Sequence, residues 1–148
     1  MKKPLRMMTE TEKAYIAGII DGEGSIYFKR DGERHSICIA VRNTALKLLQ
    51  WLVDHSGVGT IRKLKLHGNR QSCWEWRMTP NQAFMLLDAI HSYVVIKLEQ
   101  IEKALQFQRL PVAERFTQGA RYHEEMKALH LPGNRKLTAH QTSDETSI

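Results

Sequence analysis

Two periods of apolar residues alternate along the chain, and their order outlines a fold. Thr9 and Glu12 have capping-box spacing, so a short helix is predicted from Glu10 to about Asp21, with Gly22 and Gly24 breaking it. Ser25–Arg30 then meets Asp31-Gly32, a two-residue hairpin signal. Across that turn, His35–Arg42 alternates large apolar residues with small or polar ones, the period of a strand with one buried face. Thr44 is expected to cap a second helix, with Leu46, Leu49, Leu52 and Val53 inward and Gly57 at its end. Two further strands are predicted near Thr60–Leu66 and Arg70–Met78, joined by the His67-Gly68-Asn69 turn. Thr79-Pro80 places proline at a first helical position and starts a third helix, running to about His91 with Phe84, Leu87 and Ile90 inward. Another amphipathic helix begins near Ile96 and stops before Pro111, and a last one covers Val112–Leu131 before Pro132-Gly133-Asn134 ends it.

The pattern is therefore α+β: helix-strand-strand-helix-strand-strand-helix plus extra C-terminal helices. Two hairpins make a four-stranded antiparallel sheet with the helices on one face. The other face has no cover within the chain, so it is open to solvent or to a partner. Alternation places Ser25, Tyr27 and Lys29 on one face of the first strand, and Arg34, Ser36, Cys38, Ala40 and Arg42 on the matching face of the second. In the later hairpin Trp74 and Trp76 share a face and Glu75 and Arg77 the other. A one-residue slip would exchange the two sets. The tryptophans are expected in the core.

Length and charge narrow the class. The 148 residues make one domain, expected over 1–133, with a polar tail over 134–148. The longest apolar run, Tyr15–Ile20, is too short to span a bilayer, and no secretory h-region follows the basic N-terminus. Two cysteines, Cys38 and Cys73, make neither a disulfide framework nor a four-thiolate metal site, so an intracellular, reducing setting is expected. A formal net charge of +6 favours a polyanionic partner such as nucleic acid. The seven histidines show no zinc-like spacing.

The first helix carries the chemistry. Ala14, Gly18 and Gly22 fall at intervals of four, on one line. Small residues so spaced let two helices approach closely, either within the chain's own core or between two subunits. Asp21 and Glu23 stand at the C-terminal end of that helix, where its dipole disfavours negative charge. A divalent cation would offset that repulsion, because hard cations take oxygen ligands. A solvated acidic turn is the alternative.

Ile16-Ala17-Gly18-Ile19-Ile20-Asp21-Gly22-Glu23-Gly24, followed by Ser25-Ile26, resembles the motif that names the LAGLIDADG homing endonucleases. The small-residue line, the apolar fill and both acids are in register, and the order of elements over about residues 9–110 resembles that family's half-barrel unit. A single copy of the motif implies a homodimer. The resemblance implies a helix pair formed through Ala14, Gly18, Asp21 and Gly22, and an active site in which Glu23 binds Mg2+, with Mn2+ as a substitute. It implies catalytic support from Lys97 and Asn43. The open sheet face becomes a saddle for double-stranded DNA, with Tyr27, Lys29, Arg34, Ser36, Cys38, Arg42, Arg62, Arg70 and Arg77 as the candidate contacts. The implied reaction is hydrolysis of both strands of a long, near-palindromic site, leaving 3′ overhangs, as befits a mobile intron. Two other readings use the same scaffold: an RNA-binding intron maturase, and a DNA-binding module without cleavage.

Overall fold

A computed structural model of the protein describes residues 4–65, 68 and 72–130. Helix α1 spans Glu10–Glu23. Its capping box forms as the spacing predicts: the Glu12 N–H donates to Thr9 Oγ1 at 3.1 Å, and the Thr9 N–H to Glu12 Oε1 at 2.8 Å. The helix runs past Asp21, so Gly22 does not break it. The break comes at Gly24, where a Cβ would lie 2.9 Å from Ile20 Cα and only glycine lets the chain turn so tightly into a strand. Glu23 is thereby the last helical residue.

Strands β1 (Gly24–Asp31) and β2 (Arg34–Asn43) form the first hairpin. Asp31 pairs with Arg34, so the turn residues are Gly32 and Glu33, one position later than the Asp-Gly signal suggests, and Gly32 supplies the positive φ of 64°. Helix α2 (Leu46–Ser56) is not capped by Thr44. The Ala45 N–H instead donates to Asn43 Oδ1 at 2.7 Å, an asparagine turn that takes over the capping role. Leu46 opens the helix on its outer side and is exposed, whereas Leu49 and Leu52 are buried. Strands β3 (Thr60–Leu64) and β4 (Cys73–Arg77) follow, then α3 (Pro80–Ile90), a single 3-10 turn at His91–Tyr93, α4 (Leu98–Arg109) and α5 (Val112–His130). Thr79 and Gln82 form a second capping box ahead of α3. Arg70, His67 and Asn69 of the second hairpin, the Pro132-Gly133-Asn134 stop and the 134–148 tail lie outside the described residues.

The four strands form one antiparallel sheet in the order β1-β2-β4-β3. Its inner face carries Ile26, Phe28, Ile37, Ile39, Val41 and Trp76, packed under Ile16, Ala17 and Ile20 of α1, Leu49 and Leu52 of α2, Leu86, Leu87 and Ile90 of α3, and Phe107 of α4. Each of the large aliphatic and phenylalanine side chains among these contributes about 1.5–3 kcal/mol by its burial. Phe28 and Phe107 meet edge to face, with centroids 4.8 Å apart.

Register in the second hairpin is set by Trp76. It is fully buried, stands opposite Val41 and Ile61, and donates its indole N–H to the Val58 carbonyl at 2.9 Å. Gly59 makes room for it, since a Cβ there would lie 2.2 Å from the indole nitrogen. A one-residue slip would push Glu75 and Arg77 into the core, at the cost of burying charge. The tryptophans thus face the core, Trp74 only partly buried. Among the described residues, no helix is long and apolar enough to cross a membrane.

Candidate nucleic-acid interface and acidic site

Pairing decides which side chains share the open sheet face. Ser25 stands opposite Ala40, Tyr27 opposite Cys38 and Lys29 opposite Ser36. Ala40 in turn faces Arg77, and Arg42 faces Glu75. From the far edge, Thr60 pairs with Arg77 and Arg62 with Glu75. Tyr27, Lys29, Ser36, Cys38, Arg42, Arg62 and Arg77 are therefore on one surface. Cys38 and Ala40 form its floor, both buried because they are short and sit between larger neighbours. Arg34 has the same parity, but its guanidinium lies over the Phe116 ring of α5, 5.7 Å from the centroid. Arg70 falls outside the described residues.

Glu75 is the electrostatic centre of this surface, with 1% of its side chain exposed. Arg42 Nε donates to its Oε2 at 2.7 Å and Arg62 Nε to its Oε1 at 3.0 Å, while Arg77 Nε stands 3.6 Å from Oε1. Burial pushes the Glu75 carboxyl up, but the hydrogen bonds and charges of Arg42 and Arg62 together outweigh it and hold the group below the usual carboxylate range. Arg77 also donates to the Tyr27 hydroxyl at 3.2 Å, and Tyr27's phenol is raised above its ordinary value, chiefly by burial. Three guanidiniums against one carboxylate leave the cluster positive.

The acidic site lies where α1 runs into β1. Glu23 is exposed at the helix end, and Asn43, at the end of β2, donates from Nδ2 to Glu23 Oε2 at 2.5 Å. The same asparagine accepts from Ala45 N–H, which fixes its amide orientation. Asp21 has a different fate. Its Oδ2 accepts from the Val95 N–H at 2.7 Å, and its Oδ1 from the N–H groups of Ile96 and Lys97 at 3.1 and 3.0 Å. These N–H groups lie in the bend that leads into α4, so the Asp21 carboxylate ties the end of α1 to the approach to α4. Lys97 Nζ donates to the Asp21 carbonyl at 2.5 Å, placing a cation at the C-terminal end of α1, where the dipole favours it.

Asp21 is thus a structural acceptor and Glu23 the carboxylate that points outward. Among the described residues no group of three or more His, Cys, Asp and Glu comes together. At this junction Glu23 is the outward-facing carboxylate among the described residues, and such a donor fits Mg2+, which takes one or two carboxylates and completes its shell with phosphate oxygens and water. A hollow of about 380 Å³ opens beside it, lined by Glu23, Ser25, Tyr27, Ala40, Arg42 and, from the end of α5, His130.

The small-residue line also resolves. Ala14, Gly18 and Gly22 are exposed, and a Cβ built at Gly18 or Gly22 meets no heavy atom within 4 Å among the described residues. Close packing against the chain's own sheet is therefore excluded. That task falls to Ile16, Ala17 and Ile20 on the opposite side of the helix. Exposed Tyr15, Val95 and Ile96 flank the line.

Neither a protein-family model nor a curated protein matches the sequence. Solved structures do match. The homing endonuclease I-CvuI, solved with the I-CreI target in 2 mM Mg and with the DNA not cleaved, superposes with a TM-score of 0.68 at 20% identity, covering 81% of this chain and 82% of its own. The archaeal intron-encoded homing endonuclease I-Vdi141I, solved with DNA, gives 0.64 at 15% identity over 81% and 84% of the two chains. The LAGLIDADG meganuclease I-AabMI, bound to uncleaved DNA, gives 0.56 at 20% identity over 66% of this chain and 36% of its own. The chain has the LAGLIDADG homing-endonuclease fold.

Within that LAGLIDADG frame, two residues at the site escaped sequence reasoning. Alternation places Glu75 on the face of Arg77, but nothing local marks it as the shared partner of three arginines. His130 ends a helix more than a hundred residues from Glu23, and no spacing connects them. The alternation of Glu75 with two tryptophans was the available signal for the first: an acid held on the face opposite two core tryptophans needs cationic neighbours once it is buried.

Proposed function

We propose that this chain is one half of a homodimeric, Mg2+-dependent endonuclease that hydrolyses both strands of a long, near-palindromic DNA site and leaves 3′ overhangs. The observation that carries the reading is the position of Glu23. It stands at the junction of the exposed α1 line and the arginine-bearing open face of the sheet. The DNA complexes of structural neighbours with the same fold, one of them solved in 2 mM Ca, support the choice of partner.

Two copies joined through Ala14, Gly18 and Gly22 bring two Glu23 carboxylates to one axis and place the two sheets side by side. A carboxylate pair on a two-fold axis repels itself unless cations sit between. Mg2+ held by the Glu23 carboxylates of the two copies would supply Lewis-acid polarisation of the phosphodiester and a lowered pKa for the attacking water. The chain's own residues do the rest. Asn43 holds the Glu23 carboxylate in one orientation. Lys97, tied to the Asp21 carbonyl, keeps positive charge at the end of α1 that carries Glu23. Arg42, Arg62 and Arg77 contact phosphates and base edges in the major groove, where a two-stranded ribbon fits. Two-fold symmetry of the protein implies two-fold character in the site.

Selection of cleaved molecules from a large random duplex library in Mg2+, with Glu23→Gln as control, tests the proposal. The expected result is one long, roughly palindromic sequence with staggered cuts, recovered with the wild-type protein alone. Cutting by Glu23→Gln at the wild-type rate would overturn the assignment of the metal carboxylate. Selection of RNA over duplex DNA by the wild-type protein would overturn the nuclease reading in favour of a maturase.

A further inference from the structure

We infer that Glu75 is the positioning residue for base readout: it contacts no DNA and holds Arg42, Arg62 and Arg77 as one fixed array on the open sheet face. The inference rests on the DNA-binding reading above and goes beyond it. Register gives Glu75 its place. It projects outward between Trp74 and Trp76, directly across from Arg42 on one side and Arg62 on the other, with Arg77 two positions along the same strand. One carboxylate thus collects guanidiniums from three strands.

A carboxylate on a surface meant for a polyanion is unfavourable in itself, because it repels phosphate. Its burial rules out one ordinary use. An acid can accept from the cytosine amino group, but Glu75 is 1% exposed and both its oxygens are occupied, Oε2 by Arg42 and Oε1 by Arg62. The arginines, by contrast, remain available. The side chains of Arg42 and Arg62 are 64% and 59% exposed. Arg42 binds Glu75 through Nε, which leaves its two terminal nitrogens free to fork onto a guanine. Arg77 is held from two directions, by Glu75 and by the Tyr27 hydroxyl.

Fixing the arginines changes what they recognise. An unrestrained arginine swings to the nearest phosphate, a contact that carries no sequence information. An arginine tied at its Nε edge presents the remaining edge in one direction, which suits the paired acceptors of guanine. The carboxylate also competes with backbone phosphate for every guanidinium it holds. Binding to arbitrary DNA weakens as a result, and binding to the right bases does not, so the gain is in the difference between the two.

The test uses the full-length chain and two variants, E75Q and E75D, with folding checked by circular dichroism. Binding selection from a random duplex library gives the base preferences of each protein. Titration of the selected duplex and a scrambled one across salt concentrations then gives the specificity ratio. For E75Q the expected outcome is tighter binding to the scrambled duplex, with a salt slope steeper by about 0.9 for each phosphate newly contacted. Its specificity ratio should fall roughly tenfold, the scale of one bidentate arginine contact. E75D keeps the charge but is shorter by a methylene, so it should keep the salt slope and lose part of the ratio. A folded E75Q with unchanged base preferences and ratio overturns the inference. Should E75Q not fold, E75D decides in the same way, unchanged preferences overturning it. A wild-type protein that selects no duplex sequence overturns the DNA reading itself, an outcome distinct from a selective wild type matched by E75Q.

Discussion

Replacing Gly18 by alanine separates what the α1 line does for the isolated chain from what it does for a pair. In the isolated chain the added methyl meets no described heavy atom within 4 Å, and Gly18 sits mid-helix on the exposed side. Only the helix-propensity difference remains, about 1 kcal/mol in favour of alanine. For a chain of this size that raises the melting temperature by about 2–4 °C. Between two copies the outcome reverses. An isologous helix pair receives two added methyls at its closest approach, and overpacking costs about 1–3 kcal/mol at each. The propensity gain is common to monomer and dimer and cancels from the association equilibrium. Dimerisation should then weaken by about 2–6 kcal/mol, or roughly 30-fold to 10⁴-fold in Kd. Sedimentation velocity over a concentration series reads the association, and calorimetry of dilute protein reads the monomer. A Gly18→Ala chain that is more stable when dilute and dimerises as tightly as wild type would refute the placement of the interface. A chain less stable when dilute would refute the claim that the line is free of the chain's own packing.

Three further expectations follow from individual contacts. Asn43→Ala removes the group that orients Glu23, and cleavage of a selected site should slow by about 10–100-fold with DNA affinity kept; an unchanged single-turnover rate would show that Glu23 holds its position without help. Asp21→Ala strips three backbone N–H groups in the bend before α4 of this acceptor, so urea unfolding should show a loss of about 2 kcal/mol; equal midpoints would contradict the anchoring role. His123 packs against His35 and Phe28, and its imidazole is held below the usual histidine value, first by burial and then by the charges of Lys127 and His35. Because its folded pKa is depressed, the unfolded chain takes up the proton first. The stability it contributes is complete above the unfolded pKa of about 6.5 and is lost as pH falls through the folded value. His123→Phe should flatten that loss between neutral and mildly acid pH, and an unchanged pH dependence of the urea midpoint would refute the assignment.

Much of the architecture was legible because it depends on residues a few positions apart. The capping box at Thr9, the helix start at Thr79-Pro80, the first hairpin and the alternation along β1 and β2 act through neighbours within four residues or through a period of two. The small-residue line and the pair of acids at the end of α1 were visible for the same reason. Local signals failed where a tertiary contact competed with them. Thr44 lost its cap to Asn43, whose side chain also answers to Glu23, and α1 ran through Gly22 to the close approach at Gly24.

By itself, then, the sequence determined the elements, the faces of the first hairpin and the candidate chemistry at the end of α1. The tertiary structure decided the rest. It turned Gly18 and Gly22 outward and chose the register that buries Trp76. It separated two acids that look equivalent in the chain, because Asp21 meets backbone donors 74–76 positions away while Glu23 meets Asn43. It also gathered Arg42, Arg62 and Arg77 around Glu75. Spacing fixes only what lies within a turn or along a strand. Which distant donor reaches a charge depends on how the sheet is ordered and how the helices cross it.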